Sequence, residues 1–340
     1  MLALAAEYQD NSALIVLVCA AVAWYVTSRA AVDALAGDEP AAGRRAIGYW
    51  MPMAIVSLLA AVGNQPEIAV GVVFGASVAC VSLVIGVVTL TSPPNVIVVG
   101  ERQRWAFLLP AAMLAILAGF RGRLTALHAG IFIMEGVVLL LLWLDRGAGP
   151  DPHFENRPTA SRRRNRIVVG FQILLAVMLA IIAGTAAIIA GFKIGAAWNL
   201  PGNSLVASML LGPALVVPMV GHSTLMAQRE QYSAAVSTCV GVALLNLCLL
   251  LPLVIIAWSI AHVPAHTLLS DLPGAIFARE PALYFAPSVW RVDATFLMLL
   301  GMWLLPVSMG RWMPGRAEGI GLIVCYAVYL VLSGWANRFW

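Results

Sequence analysis

The chain has 340 residues, of which 61% are hydrophobic and 11% charged, and its formal net charge is +4. That balance excludes an ordinary soluble domain. The five cysteines (Cys19, Cys80, Cys239, Cys248 and Cys325) all fall inside apolar runs and form no CxxC pair, so disulfides, a zinc site or another cofactor are not expected.

Apolar runs of about 18 or more residues recur along the chain, each sufficient to cross a bilayer as a helix. No alternating pattern of about ten residues repeats, so a β-barrel is not expected. The predicted fold is an all-α membrane protein of ten spans, because in lipid each backbone polar group needs a partner within its own segment. The first five spans are predicted at 12–36, 46–63, 67–91, 105–119 and 126–144. A polar, arginine-rich linker with Pro150, Pro152 and Pro158 follows, and the second five are predicted at 167–191, 204–226, 233–261, 292–310 and 318–336. The domain division is therefore 1–145, a cytoplasmic linker 146–166, and 167–340. With the N-terminus outside, thirteen basic residues fall in cytoplasmic loops and six outside. This bias predicts both termini outside, in a multi-pass protein of a bacterial inner membrane. Arg121 and Arg123 run against the bias and are assigned to the headgroups.

Spans two and three join through Gly63-Asn64-Gln65-Pro66-Glu67. Their sequence returns 166 residues later without a gap: Pro52 meets Pro218, Met53 meets Met219, Ser57 meets Ser223, Ala69-Val70 meets Ala235-Val236, and Gly75 meets Gly241. Five spans separate the copies. An odd number turns the second copy over in the membrane, which is the arithmetic of an inverted repeat and a common plan of secondary transporters.

At these residues the chain resembles the calcium/cation antiporter superfamily, the sodium/calcium exchanger-like membrane proteins. The family pattern reads A-L-G-T-S-x-P-E, then about a dozen apolar residues, then G-x-P-D-I-A-V-G-N-x-x-G-S-N-I. Ala46-Ile47-Gly48 and Pro52 match its first part, and Gln65-Pro66-Glu67-Ile68-Ala69-Val70-Gly71 with Gly75 its second. The second copy keeps Pro218, Ser223, Gly241 and Asn246. The resemblance implies two inverted five-helix repeats and cation or proton antiport by alternating access, with the bilayer and a cation or proton as partners and no nucleic acid. It does not imply an enzyme.

The departures bear on chemistry. The motif glutamates fall on Met53 and Met219. The hydroxyl pair before the proline falls on Tyr49-Trp50 and Leu215-Val216, and the G-S-N polar pair on Ala76-Ser77 and Val242-Ala243. Calcium requires six to eight oxygens, some of them charged, and a thioether is a soft, neutral donor. The site implied is therefore not a calcium site, and the function expected is transport with altered, non-calcium specificity. The alternative is a structural or regulatory membrane protein that keeps the antiporter fold.

Within that frame the candidate pathway residues are Met53, Ser57, Ser77, Met219, His222, Ser223, Thr238 and Asn246. Polar side chains inside spans also serve as glue between helices. Met53 and Met219 with Cys80 or Cys239 could form a soft-metal site; equally they fill a vacated cavity with flexible apolar side chains. No metal is assigned. Glu135, inside the fifth span, is a candidate proton carrier or a neutral acid bonded to a neighbour. Pro52 and Pro218 are expected to break their helices and free the carbonyls of Gly48 and Ala214. Arg29 and Asp33 are expected to pair one turn apart, and Glu67 to sit favourably at a helix N-terminus.

Overall fold

The computed structural model describes residues 2–36, 42–94, 103–145, 166–198, 200, 203–262, 282–285 and 287–338. The interhelix linker 146–165 and most of the loop between the eighth and ninth predicted spans lie outside the described residues, as do Arg102, Arg157 and Arg279.

Among the described residues, ten helices follow the ten predicted segments. They are α1 (Leu2–Ala36), α2 (Ala42–Val62), α3 (Pro66–Thr91), α4 (Leu108–Gly119) and α5 (Ala126–Asp145). The second half supplies α6 (Arg166–Ala197), α7 (Asn203–Gln228), α8 (Tyr232–His262), α9 (Pro287–Ser308) and α10 (Arg316–Arg338). Eight are long and apolar enough to cross a membrane; α4 and α5 are shorter apolar helices.

Helix α3 is the hub: 94% of its most apolar window is buried, against 33% for α1 and α6. It packs on α2 and α7, while α2 packs on α8. Helices α1 and α6 lie along each other outside this centre. On the far side α4 packs on α9, α10 on the C-terminal part of α3, and α5 on the C-terminal part of α8. A short antiparallel pairing of Arg123–Leu124 with Leu283–Tyr284 ties the α4–α5 turn to the segment before α9.

The backbone repeats at the same 166-residue offset as the sequence. Helices α2 and α7 end at Val62 and Gln228. Each is followed by a left-handed residue, Asn64 at φ 61° and Glu230 at φ 66°. The amide of Gln65 then reaches back to the carbonyl of Ala60 at 2.8 Å, and that of Gln231 to Met226 at 3.0 Å. These bonds satisfy carbonyls left over at a helix C-terminus. Both next helices start one residue later, α3 with Pro66 at a position that needs no N–H.

The helices do not break at the prolines. Helix α2 runs through Pro52 and α7 through Pro218, each losing one ladder bond while the surrounding helix persists. The irregularity lies elsewhere, in three π-type segments at Ala79–Val84 in α3, Ala207–Leu211 in α7 and Asn246–Leu250 in α8. The first and third are counterparts at the repeat offset. Such single-turn widenings concentrate at functional places in helices.

Candidate functional site

The centre is set by how closely α3 and α7 approach. A Cβ added to Gly75 would lie 2.6 Å from the Ser208 Cα, and one added to Gly71 2.7 Å from the Ala207 Cβ. On α7, a Cβ on Gly212 would meet the Ala76 amide nitrogen at 2.9 Å. Small residues here let two backbones touch, which in lipid is a main source of helix association.

Beside this crossing, Asn246 joins the two repeats. Its Nδ2 donates to Ser77 Oγ at 3.1 Å and to Met53 Sδ at 3.6 Å. Ser77 in turn donates to the Val73 carbonyl in its own helix at 2.6 Å. Asn246 opens the π segment of α8, so the widened turn places this carboxamide against α2 and α3. Its Oδ1 is buried without a hydrogen-bond partner, as is Ser57 Oγ.

The other predicted residues divide. Met219, Ser223 and Thr238 are fully buried. Ser223 Oγ lies 3.8 Å from Cys239 Sγ, while Thr238 donates to the Ala234 carbonyl of its own helix at 2.8 Å. His222 is half-buried, with its ring centroid 5.6 Å from that of Tyr49. Pro52 and Pro218 are both buried. Cys80 and Cys239 are both fully buried, yet no group of three His, Cys, Asp or Glu residues among the described residues forms a metal site. Glu135 stands on α5, whose next residue, Gly136, packs closely on Cys248 of the α8 π segment, and its Oε2 is buried and unbonded. Arg29 reaches the Tyr25 hydroxyl at 3.3 Å; the Asp33 side chain lies outside the described residues. Glu67 is half-buried in the first turn of α3. Arg121 and Arg123 line a surface cavity of about 590 Å³ with Leu117, Phe120, Leu127 and His128, away from the centre.

Sequence reading passed over two sets of residues. Arg45 is buried and donates from Nη1 to Met226 Sδ at 3.2 Å, tying α2 to α7. Asp293, on α9, is 1% exposed, and its Oδ1 has no hydrogen-bond partner. It neighbours the Tyr329 hydroxyl of α10, which also neighbours Ser208 of the α7 π segment; that hydroxyl is likewise buried without a hydrogen-bond partner. The available signal was an acid two residues inside the ninth predicted span, which reads as an interfacial residue when burial is unknown.

The sequence model of the sodium/calcium exchanger protein family matches residues 12–144 and 170–335. Comparison of the sequence with curated proteins returns no match. Among solved structures, the sodium-calcium exchanger NCX_Mj, soaked with sodium and calcium, is similar over 96% of this chain and 97% of its own, at a TM-score of 0.60 and 16% identity. Native YfkE is similar over 95% of this chain and 90% of its own, at a TM-score of 0.64 and 12% identity. At these identities the likeness shows the fold.

Proposed function

Since the chain belongs to the sodium/calcium exchanger protein family, we propose that it is an antiporter whose central site takes a monovalent cation or a proton rather than calcium. The observation that carries this reading is the Asn246 carboxamide. It bridges Ser77 and Met53 across the repeats and keeps Oδ1 unbonded, with a second unbonded oxygen at Ser57. The centre therefore offers neutral oxygens and a thioether where the family pattern has carboxylates. Neutral oxygens suit a singly charged ion better than a hard divalent one, whose dehydration requires charged ligands.

Met53, Ser57, Ser77, Met219, Ser223, Thr238 and Asn246 form the pathway in this reading, and the fully buried centre is its occluded state. Positive-inside bias supports an orientation with both termini outside, and the membrane in this reading is a bacterial inner membrane. Glu135 and His222 are the proton-exchanging candidates that sequence supplies.

A second reading, a non-transporting protein with the antiporter fold, is favoured by the same enclosure, since Met53 and Met219 are both 0% exposed and fill the centre. Flux in proteoliposomes separates the two. Sodium, potassium, lithium and calcium are each offered across an imposed pH gradient. The antiporter reading expects uptake of a monovalent cation that collapses when the gradient is removed, with calcium uptake at the protein-free level. Calcium flux would refute the specificity, and no flux of any ion from monodisperse protein would favour the second reading.

A further inference from the structure

Asp293 is the one carboxyl group in the membrane-spanning part of α9, and among the described residues the helices packed around it bring no cation to it. Helix α4 carries no ionisable residue, and α3 carries only Glu67, in its first turn, and Cys80. Helix α7 has only His222, near its opposite end, and α10 presents Tyr326 and Tyr329, with its charged residues near its ends. Arg291, two residues earlier in α9, is turned away, with its guanidinium 4.9 Å from the centre of the Phe120 ring. An ionised carboxylate held in such a place without a cation is costly, and intramembrane acids of this kind serve proton relays. A carboxyl kept neutral only to glue helices would have its oxygens bonded; Asp293 Oδ1 does not.

We propose that Asp293 is a proton-binding site whose protonation state is read by the π segment of α7 through Tyr329 and Ser208. The donor arithmetic makes the relay switch-like. Ser208 spends its hydrogen on the Leu205 carbonyl at 3.3 Å, so it can only accept from Tyr329. The Tyr329 hydroxyl has a single hydrogen, and in this structure it is buried and committed to neither neighbour. When that hydrogen goes to Ser208, Tyr329 offers Asp293 only a lone pair, which suits the protonated acid as donor. When Asp293 is ionised, it draws the Tyr329 hydrogen to itself in a stronger, charge-assisted bond, and Ser208 loses its donor. The step is a proton transfer alone: hydronium gives its proton to a carboxylate oxygen and leaves as water.

The consequence reaches the centre because Ser208 is the residue whose backbone rests on Gly75, in a segment whose ladder is already widened. Loosening that contact frees α7 to move against α3. Trp290, one turn before Asp293, is packed edge-on against Phe74 at 4.4 Å and bonded to the Ala115 carbonyl at 3.0 Å. It covers the acid from the nearer end of the bundle. The role in coupling rests on the antiporter reading; proton binding does not, and it is tested without transport.

The test uses the full chain in lipid nanodiscs, titrated from about pH 4 to about pH 10. Infrared difference spectra should contain a protonated-carboxyl band that disappears in Asp293→Asn and persists in Glu135→Gln. Tyr329→Phe, which keeps the ring packed on Phe296 at 5.4 Å, should displace the midpoint of that band, and it carries the test if Asp293→Asn fails to fold. Hydrogen exchange at residues 207–211, corrected for intrinsic rates, should depend on pH in the wild type and lose that dependence in Asp293→Asn and Tyr329→Phe. A carboxyl band unchanged in Asp293→Asn, or exchange at 207–211 that keeps its pH dependence in both variants, overturns the proposal. A band that responds to sodium instead of pH also overturns it. Absence of flux in proteoliposomes would refute the antiporter reading while leaving this site standing. Flux whose pH dependence survives Asp293→Asn would do the reverse.

Discussion

The two copies of the central hairpin share a backbone and differ in chemistry. Both end the first helix at one register, turn through a left-handed residue, reach back with a glutamine backbone amide and widen the second helix about half a span later. Their side chains part company at the widened turn. In α3 that turn starts around Ala79 and Cys80, and Ser77 just before it spends its hydrogen within its own helix. In α8 the counterpart of Cys80 is Asn246, which spends its donor across the repeat boundary. Tyr232 at the start of α8 likewise reaches Thr89 near the end of α3, at 2.8 Å. The first copy thus supplies a tight apolar wall and the second supplies polar groups that reach it. Inversion requires only the backbone to be duplicated; what the site binds depends on which copy carries the heteroatoms.

The wall is the harder half to alter. Gly75→Val places a side chain into the Ser208 backbone, where neither helix can yield without separating. The loss expected is about 3 kcal/mol or more, by analogy with severe overpacking, and thermal unfolding in detergent would read it as a large fall in Tm or as failure to fold. A tolerated Gly75→Val would mean that α3 and α7 are not in backbone contact.

The polar half should be weaker. Asn246→Leu removes the link to Ser77 and Met53, at a cost of about 1–2 kcal/mol in keeping with hydrogen bonds inside membranes. Leucine at Cys80, the matching position, should leave that link intact. A double-mutant cycle of Asn246→Leu with Ser77→Ala measures it directly, and a coupling near zero would remove Asn246 from the centre of the site.

The smallest effect compares the two turns. Asn64 and Glu230 share a left-handed conformation, which asparagine accepts and glutamate does not. Glu230→Gly should therefore stabilise by up to about 1 kcal/mol, and Asn64→Gly by only a few tenths. Equal effects would show that the two turns are not equivalent in strain. Asn64 has an added tie, since its Oδ1 lies 3.0 Å from His262 Nε2, and losing it is one reason the gain at Asn64 should be the smaller of the two.

The ten-helix layout was readable because hydropathy marks the segments that enter lipid, clearly for eight helices and less so for the shorter α4 and α5. The repeat was readable because helix ends and close crossings demand specific residues: Pro52 and Pro218, and Gly75 with its counterpart Gly241. The candidate site was half readable. Met53, Ser77 and Asn246 were named from motif positions, and they do meet. Thr238 was named on the same ground and His222 for its place about one turn after Met219; Thr238 bonds within its own helix, and the His222 ring lies tilted beside Tyr49. Sequence spacing tells which residues share a helix face; it does not tell which of two faces a widened turn will present.

Asp293 marks the boundary most clearly. A carboxyl near the start of a span looks interfacial in sequence, since nothing local says whether water reaches it. Burial came from Trp290 wedged against Gly119 and from Tyr329 and Ser208 arriving from helices distant in the chain. The sequence by itself determined that the chain is a ten-helix membrane protein with an inverted pair at its core and no carboxylates at the motif positions, because hydrophobicity, helix-end chemistry and residue identity are local properties. Only the tertiary structure decided which polar groups are left without partners, because that depends on every neighbour at once.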